Sequence, residues 1–150
     1  LLVAVAATAF CSALVVGLNQ SQSAARYAVG TNLAASLMNE IVSRRFRDPD
    51  TPFNVTPGPE AGETSRSAYD NVDDYHGLAE TAGHMSGADG AALSDPTLAG
   101  FSRSVTAVYV NPPGYNSSLP PAFILVTVQV NYEGTGLVTL KRLISSEERS

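Results

Sequence analysis

Cysteine is nearly missing from this 150-residue sequence: Cys11 stands alone, which excludes any intramolecular disulfide. It lies inside an apolar run, where a free thiol packs as a small hydrophobe. Tryptophan is absent, and the six Tyr and five Phe are scattered rather than grouped into a stacking platform. Charge is sparse at 15%, with 9 basic and 14 acidic residues giving a net charge of −5. Nucleic-acid binding needs clustered Lys and Arg to neutralise phosphates. The one basic cluster, Arg44, Arg45 and Arg47, falls at the end of a helical pattern, where cations complement the helix dipole. No nucleic-acid partner is therefore predicted. Catalytic signatures are missing as well: there is no Gly-x-Ser-x-Gly, P-loop or His-Glu-x-x-His run. His76 and His84 are eight apart in a Gly-rich stretch without cysteine partners, which does not make a zinc site. The expectation is a protein that is not an enzyme.

What the sequence does have is concentrated at its start. Residues 1–18, LLVAVAATAFCSALVVGL, carry no charge, close to the ~20 apolar residues that cross a bilayer core as a helix. No basic region precedes them and no small-residue cleavage site follows, so the segment is read as part of the working protein rather than as a cleaved signal. A helical pattern continues beyond it without proline to Phe46. Ala24, Ala28, Leu33, Leu37, Ile41 and Arg45 trace one side, widened by Ala34, Met38 and Val42. Asn19, Gln22, Arg26, Asn32, Asn39 and Ser43 lie opposite. Gly17 and Gly30 are weak points costing ~1 kcal/mol each relative to Ala, and Asp48-Pro49 ends the pattern. Residues 1–18 are thus the membrane or filament-core half of one helix and residues 19–47 its amphipathic half.

Residues 48–101 lack strong periodicity and are rich in Pro and Gly. They read as an ordered excursion pinned by aromatics, with short helical turns at 75–81 and 91–98 and with Phe53 among its few core candidates. Residues 102–146 are strand-like. Residues 102–110 alternate, with Val105, Ala107 and Tyr109 on one face. Residues 122–132 place Ile124, Val126, Val128 and Val130 opposite Leu125, Thr127, Gln129 and Asn131. A turn-rich link, residues 111–121, joins these two. Glu133-Gly134-Thr135-Gly136 makes a hairpin link into residues 137–145, and residues 147–150 form a flexible tail. The predicted fold class is α+β: a long N-terminal helix, its apolar half projecting, packed on a C-terminal antiparallel meander of about three strands. The amphipathic half-helix is the only cover the pattern offers for that meander.

This organisation resembles the type IV pilins and type II secretion pseudopilins. Residues 1–18 are similar to the body of a prepilin N-terminal segment, Asn19-Gln20-Ser21-Gln22 is where such helices turn polar, and LAASLMNEI at 33–41 also fits. Tyr69-Asp70-Asn71-Val72-Asp73-Asp74-Tyr75-His76-Gly77 resembles the aromatic-Asp-x-Val-Asp-Asp-Tyr-His-Gly stretch of prepilin-like proteins related to the MSHA pilus biogenesis D-type accessory subunits. The family's Gly/Phe-Thr-Leu-x-Glu start is missing, and no acidic residue precedes Glu40. Because Leu1-Leu2-Val3 reads like the continuation of that motif, the sequence is expected to begin inside the mature protein.

The resemblance implies a structural subunit of a helical filament whose partners are copies of itself or related pilins. It would be held in the bacterial inner membrane before assembly and reach the periplasm or cell surface as a filament. The residues expected to pack in the filament core are Leu1, Leu2, Val3, Val5, Phe10, Leu14, Val15, Val16 and Leu18, with Gly17 as a hinge. Ala4, Ala6, Ala7, Ala9, Ser12, Ala13 and Gly17 are small enough for helices to approach closely. The alternative expectation is a monomeric, membrane-anchored extracytoplasmic binding module. Asp70, Asp73 and Asp74, with Asp89 and Asp95 downstream, are candidate oxygen ligands for Ca²⁺, although the spacing fits no EF-hand. No other cofactor is expected, and His76 is expected to hold its loop through a hydrogen bond. Asn54 and Asn116 sit in N-x-[ST] sequons and are candidate glycosylation positions.

Overall fold

A computed structural model describes residues 2–51, 54–114 and 121–146, with the side chains of residues 2–11 and 13 outside the description. The filament-core candidates Leu1, Leu2, Val3, Val5 and Phe10, the core candidate Phe53, the sequon Asn116 and the predicted tail therefore fall outside the described groups. One helix, α1 (Leu2–Val42), precedes a four-stranded antiparallel sheet in the order β1 (Ala79–Glu80), β2 (Phe101–Val110), β3 (Phe123–Tyr132), β4 (Thr135–Ser145). The α+β architecture is as expected, with one strand more than the meander. A strand of two residues is too short to leave an alternation in sequence.

β2 and β3 pair without interruption from Phe101–Tyr132 to Val110–Phe123. The period-2 pattern is realised: Phe101, Arg103, Val105 and Ala107 of β2 and Ile124, Val126, Val128 and Val130 of β3 are buried. β3 returns into β4 through Glu133-Gly134, both at positive φ (48° and 77°), the left-handed pair that a two-residue hairpin turn needs. A bulge beside Val130 leaves Leu137 as the extra residue of β4, since Val130 faces Val138 while Asn131 faces Gly136.

Leu137 explains Gly30. A Cβ on Gly30 would stand 2.8 Å from Leu137 Cδ2, so this glycine lets strand and helix approach closely. Its cost in helix propensity accompanies a packing contact. The docked part of α1 begins here: Gly30, Leu33, Ala34, Leu37, Met38 and Ile41 are buried, while Ala24 and Ala28, expected on the packed face, are exposed. α1 lies on β3 and β4. The other half of the sheet is covered by the excursion, whose 3-10 turn Asp73–Tyr75 packs on β2 and which supplies Val72, Tyr75 and Met85 to the same core. The helix is thus not the only cover, contrary to expectation.

α1 stops at Val42, before the Asp48-Pro49 boundary read from sequence. Ser43 and Arg44 close it with tighter bonds, Ser43 N–H to Glu40 O (3.0 Å) and Arg44 N–H to Ile41 O (3.0 Å). The backbone then changes partner: Val72 N–H donates to Arg45 O (2.9 Å) and Arg45 N–H to Asp70 O (3.4 Å). Arg44, Arg45 and Arg47 consequently lie past the helix and do not occupy its last turn, and Arg45 is exposed rather than on the packed face. The helical turn expected at 75–81 is replaced by the end of the Asp73–Tyr75 turn and by β1. That expected at 91–98 shrinks to Pro96–Leu98, capped by Asp95.

Candidate functional site

Three features beyond the core carry chemistry. The first is the undocked part of α1. Ser12 and residues 14–28 are exposed, and Leu14, Val15, Val16 and Leu18 are 50–62% exposed. At 100° per residue these four cover more than half of the helix circumference. Gly17 sits among them inside an unbroken helix. Among the described residues, no helix is long and apolar enough to cross a membrane. Arg26 braces this segment against the sheet, with its guanidinium carbon 4.5 Å from the centre of the Tyr132 ring. Tyr132 in turn meets Phe101 edge-on at 5.0 Å.

The second is a chain of four charges, three of them buried and Glu40 partly so, that left no pattern in the sequence. Arg66 donates from Nε to Glu40 Oε1 (2.8 Å), pairs through Nη2 with Glu40 Oε2, and reaches Glu80 Oε1 through Nη1 at 3.1 Å. Arg103 closes the chain on Glu80 Oε2, and both arginines donate to the Ser86 carbonyl, at 2.7 Å and 2.5 Å. Ser86 donates back to Glu80 Oε1 from N–H (2.8 Å) and Oγ (2.7 Å), and Tyr75 OH donates to Glu40 Oε1 (2.8 Å). Burial pushes the Glu80 carboxyl up, but Arg103 and Ser86 outweigh it and hold it below the usual range. For Glu40, burial is likewise overcome by Arg66 and Tyr75. The two arginines edge a cleft of about 410 Å³ whose walls include Val29, Leu33, Leu93 and Leu98. Each charge here already has an opposite partner, so the arrangement ties α1, the excursion, β1 and β2 together. Its members were hidden because they are single charges dispersed over 64 positions of sequence.

The third is acidic. Glu60, Glu63 and Asp74 bring carboxylate oxygens within 4.8 Å of one another. Asp70 joins Glu60 and Glu63 in lining an adjoining cleft of about 350 Å³. Asp74 is fully buried. Its Oδ2 accepts from the N–H groups of Asp70 (2.8 Å) and Asn71 (2.9 Å), while Oδ1 has no hydrogen-bond donor among the described residues. Glu60 Oε1 accepts from Asn54 Nδ2 (3.3 Å), and Glu60 Oε2 is buried without a partner. Glu63 Oε2 accepts from Glu60 N–H (3.0 Å). Burial raises the Asp74 carboxyl to about 7, against the pull of the Asn71 and Asp70 N–H groups and with Glu63 adding to the rise. Burial raises Glu63 and Asp70 too.

Of the predicted calcium ligands, the fold brings Asp74 into this group and Asp70 beside it, and sends Asp73 elsewhere. Asp73 Oδ2 accepts from Tyr109 OH (3.0 Å) and its carboxyl is raised to about 6 by burial. Asp89 and Asp95 cap turns, accepting from Ala91 N–H (3.0 Å) and Thr97 N–H (2.8 Å). Glu60 and Glu63 were not foreseen; the one available signal was their i, i+3 spacing around Gly62. His76 does hold its loop, with Nδ1 2.8 Å from the Ala107 carbonyl oxygen. Asn54 lies exposed, as a glycan acceptor requires, while its amide holds Glu60. No protein-family model, no curated protein and no solved structure matches the chain.

Proposed function

We propose that the chain is a structural subunit of a type IV pilus-like helical filament, assembled through α1. Its partners are copies of itself or related pilins. The inner membrane holds it before assembly, and the final location is a periplasmic or extracellular filament. The observation that carries this reading is the exposure of Leu14, Val15, Val16 and Leu18 on a helix whose described side chains become buried in its last third. A helix apolar on several sides is stable in lipid or among other apolar helices. Stacked subunits supply the second environment. Burying ~1,000 Å² of apolar surface in that way contributes roughly 25 kcal/mol gross before association costs. Head-to-tail contacts of this kind do not close, so the product is an open helical assembly. Gly17, the weakest helix former in the exposed run, is where the helix unwinds on assembly; a continuous hydrogen-bond ladder through residues 15–21 in a filament reconstruction would refute that.

The test is the full chain transferred out of detergent and viewed in negative stain. Filaments are expected. A monomer that binds lipid vesicles and never forms filaments overturns the reading in favour of a membrane-anchored binding module. The double substitution L14K/V16K changes exposed side chains alone, and is expected to abolish filaments while leaving the circular dichroism of the folded chain unchanged.

A further inference from the structure

We infer that Glu60, Glu63 and Asp74 form a calcium site that fastens the excursion onto the start of the Asp73–Tyr75 turn. The inference is independent of filament assembly, because it rests on residues remote from the exposed half of α1.

The donors are carboxylate oxygens alone, the hard ligand set that calcium takes at 2.3–2.6 Å. Oxygens on opposite sides of one such ion stand up to about 5 Å apart, so a spread within 4.8 Å fits three ligands around a single centre. Asp74 is the decisive residue. It is 0% exposed, its Oδ2 is held by two backbone N–H groups, and among the described residues its buried Oδ1 has no N–H or hydroxyl donor, only the Glu60 and Glu63 carboxyls beside it. Buried carboxylate oxygens normally find a donor, because desolvation without one costs several kcal/mol. Glu60 repeats the arrangement: Oε1 is anchored by Asn54, and Oε2 is buried and unpartnered. Two of the three ligands therefore each hold one oxygen fixed by the chain and one unused.

Among the described residues no ion pair reaches Glu60, Glu63 or Asp74, and Arg45 acts only on the neighbouring Asp70, so a bound cation would supply the positive charge that these three carboxylates lack. Asp70, whose Oδ1 is also buried without a partner, adds negative charge beside the site. The irregular, carboxylate-dense setting suits calcium, which accepts variable geometry. Magnesium demands a near-octahedral shell and keeps most of its water.

The experiment is calorimetric titration of the full chain in detergent with CaCl₂, alongside thermal melts in millimolar calcium and in EDTA. One site with a Kd of order 10⁻⁴ M is expected, together with a melting temperature higher by about 5 °C in calcium. In E60Q/E63Q both the binding heat and the melting shift are expected to vanish. If that variant does not fold, E63Q, which alters a partly exposed residue, is expected to weaken binding at least about tenfold. The proposal is overturned by a wild-type chain that neither binds calcium nor melts differently with it. It is overturned equally by a calcium response that survives these substitutions, or by a response to MgCl₂ as large as that to CaCl₂.

Discussion

Glu40 and Glu80 each meet an arginine, whereas Glu60, Glu63 and Asp74 bring their carboxylates together. Both groups are partly to fully buried, and both draw on backbone N–H donors. The arginine chain alternates sign along its length, so desolvation is offset within the protein. The acidic group has the hydrogen bonds of a finished site but not its charge. The contrast separates two uses of buried carboxylates. Paired ones fix how elements sit against each other, and unpaired ones, once anchored, await a cation.

Breaking the paired group has the largest expected effect. Arg66→Met strands Glu40 and part of Glu80 in a dry environment and is expected to cost about 3–5 kcal/mol, read as a lower urea midpoint at unchanged slope. The corresponding change in the unpaired group runs the other way. Asp74→Asn keeps an oxygen for the Asp70 and Asn71 N–H groups and places an amide N–H₂ where the partnerless oxygen stands. In EDTA it is expected to stabilise by about 1–2 kcal/mol, and destabilisation of that size would sink the contrast. A finer probe is Ser86→Ala. It removes one donor to Glu80 but leaves the Ser86 N–H and both arginines in place, so about 0.5–1.5 kcal/mol is expected from the same unfolding curves.

The last test concerns slope rather than size. Glu40 and Glu80 are held below their ordinary 4.5 in the folded chain. The folded state therefore binds fewer protons than the unfolded one, and stability from these groups is fully present above about pH 4.5. It is lost as pH falls through the depressed folded values. Urea midpoints taken downward from about pH 5 are expected to drop less steeply in E40Q/E80Q than in the parent, and equal slopes would mean that the pairing has been misread.

Much of the fold was legible in sequence because its strands obey one constraint at a time. Val126, Val128 and Val130 alternate with polar partners, and Glu133-Gly134 supplies the left-handed pair for the turn. The helix was legible as a helix but not in its docking. Ala24 and Ala28 fit an apolar stripe, yet alanine suits exposed helix equally well, and they lie before the point where Gly30 meets Leu137. The helix end was misplaced because proline marks where a helix cannot go on, while here Arg45 leaves earlier to bridge to Asn71. The acidic site was half legible. Asp70 and Asp74 announce themselves as a cluster in the chain, but Glu60 and Glu63 reach Asp74 only through folding of an aperiodic segment. The arginine chain left no sequence mark, since it joins α1, a 3-10 turn, β1 and β2 through single residues.

Among its described side chains, the 41-residue α1 becomes buried from about Gly30 onward, so roughly 40 Å of it extends beyond the contact with Leu137. It is a lever with a short clamp. A change of about 5° in how the clamped end seats on β3 and β4 moves Leu2 by about 3.5 Å, more than half a helical turn. The Gly30–Leu137 approach and the Arg26–Tyr132 brace are thus the two points at which a small change in side-chain size would alter where the far end of the molecule meets its surroundings. Substitutions there would be felt as altered reach and pitch before they were felt as lost stability.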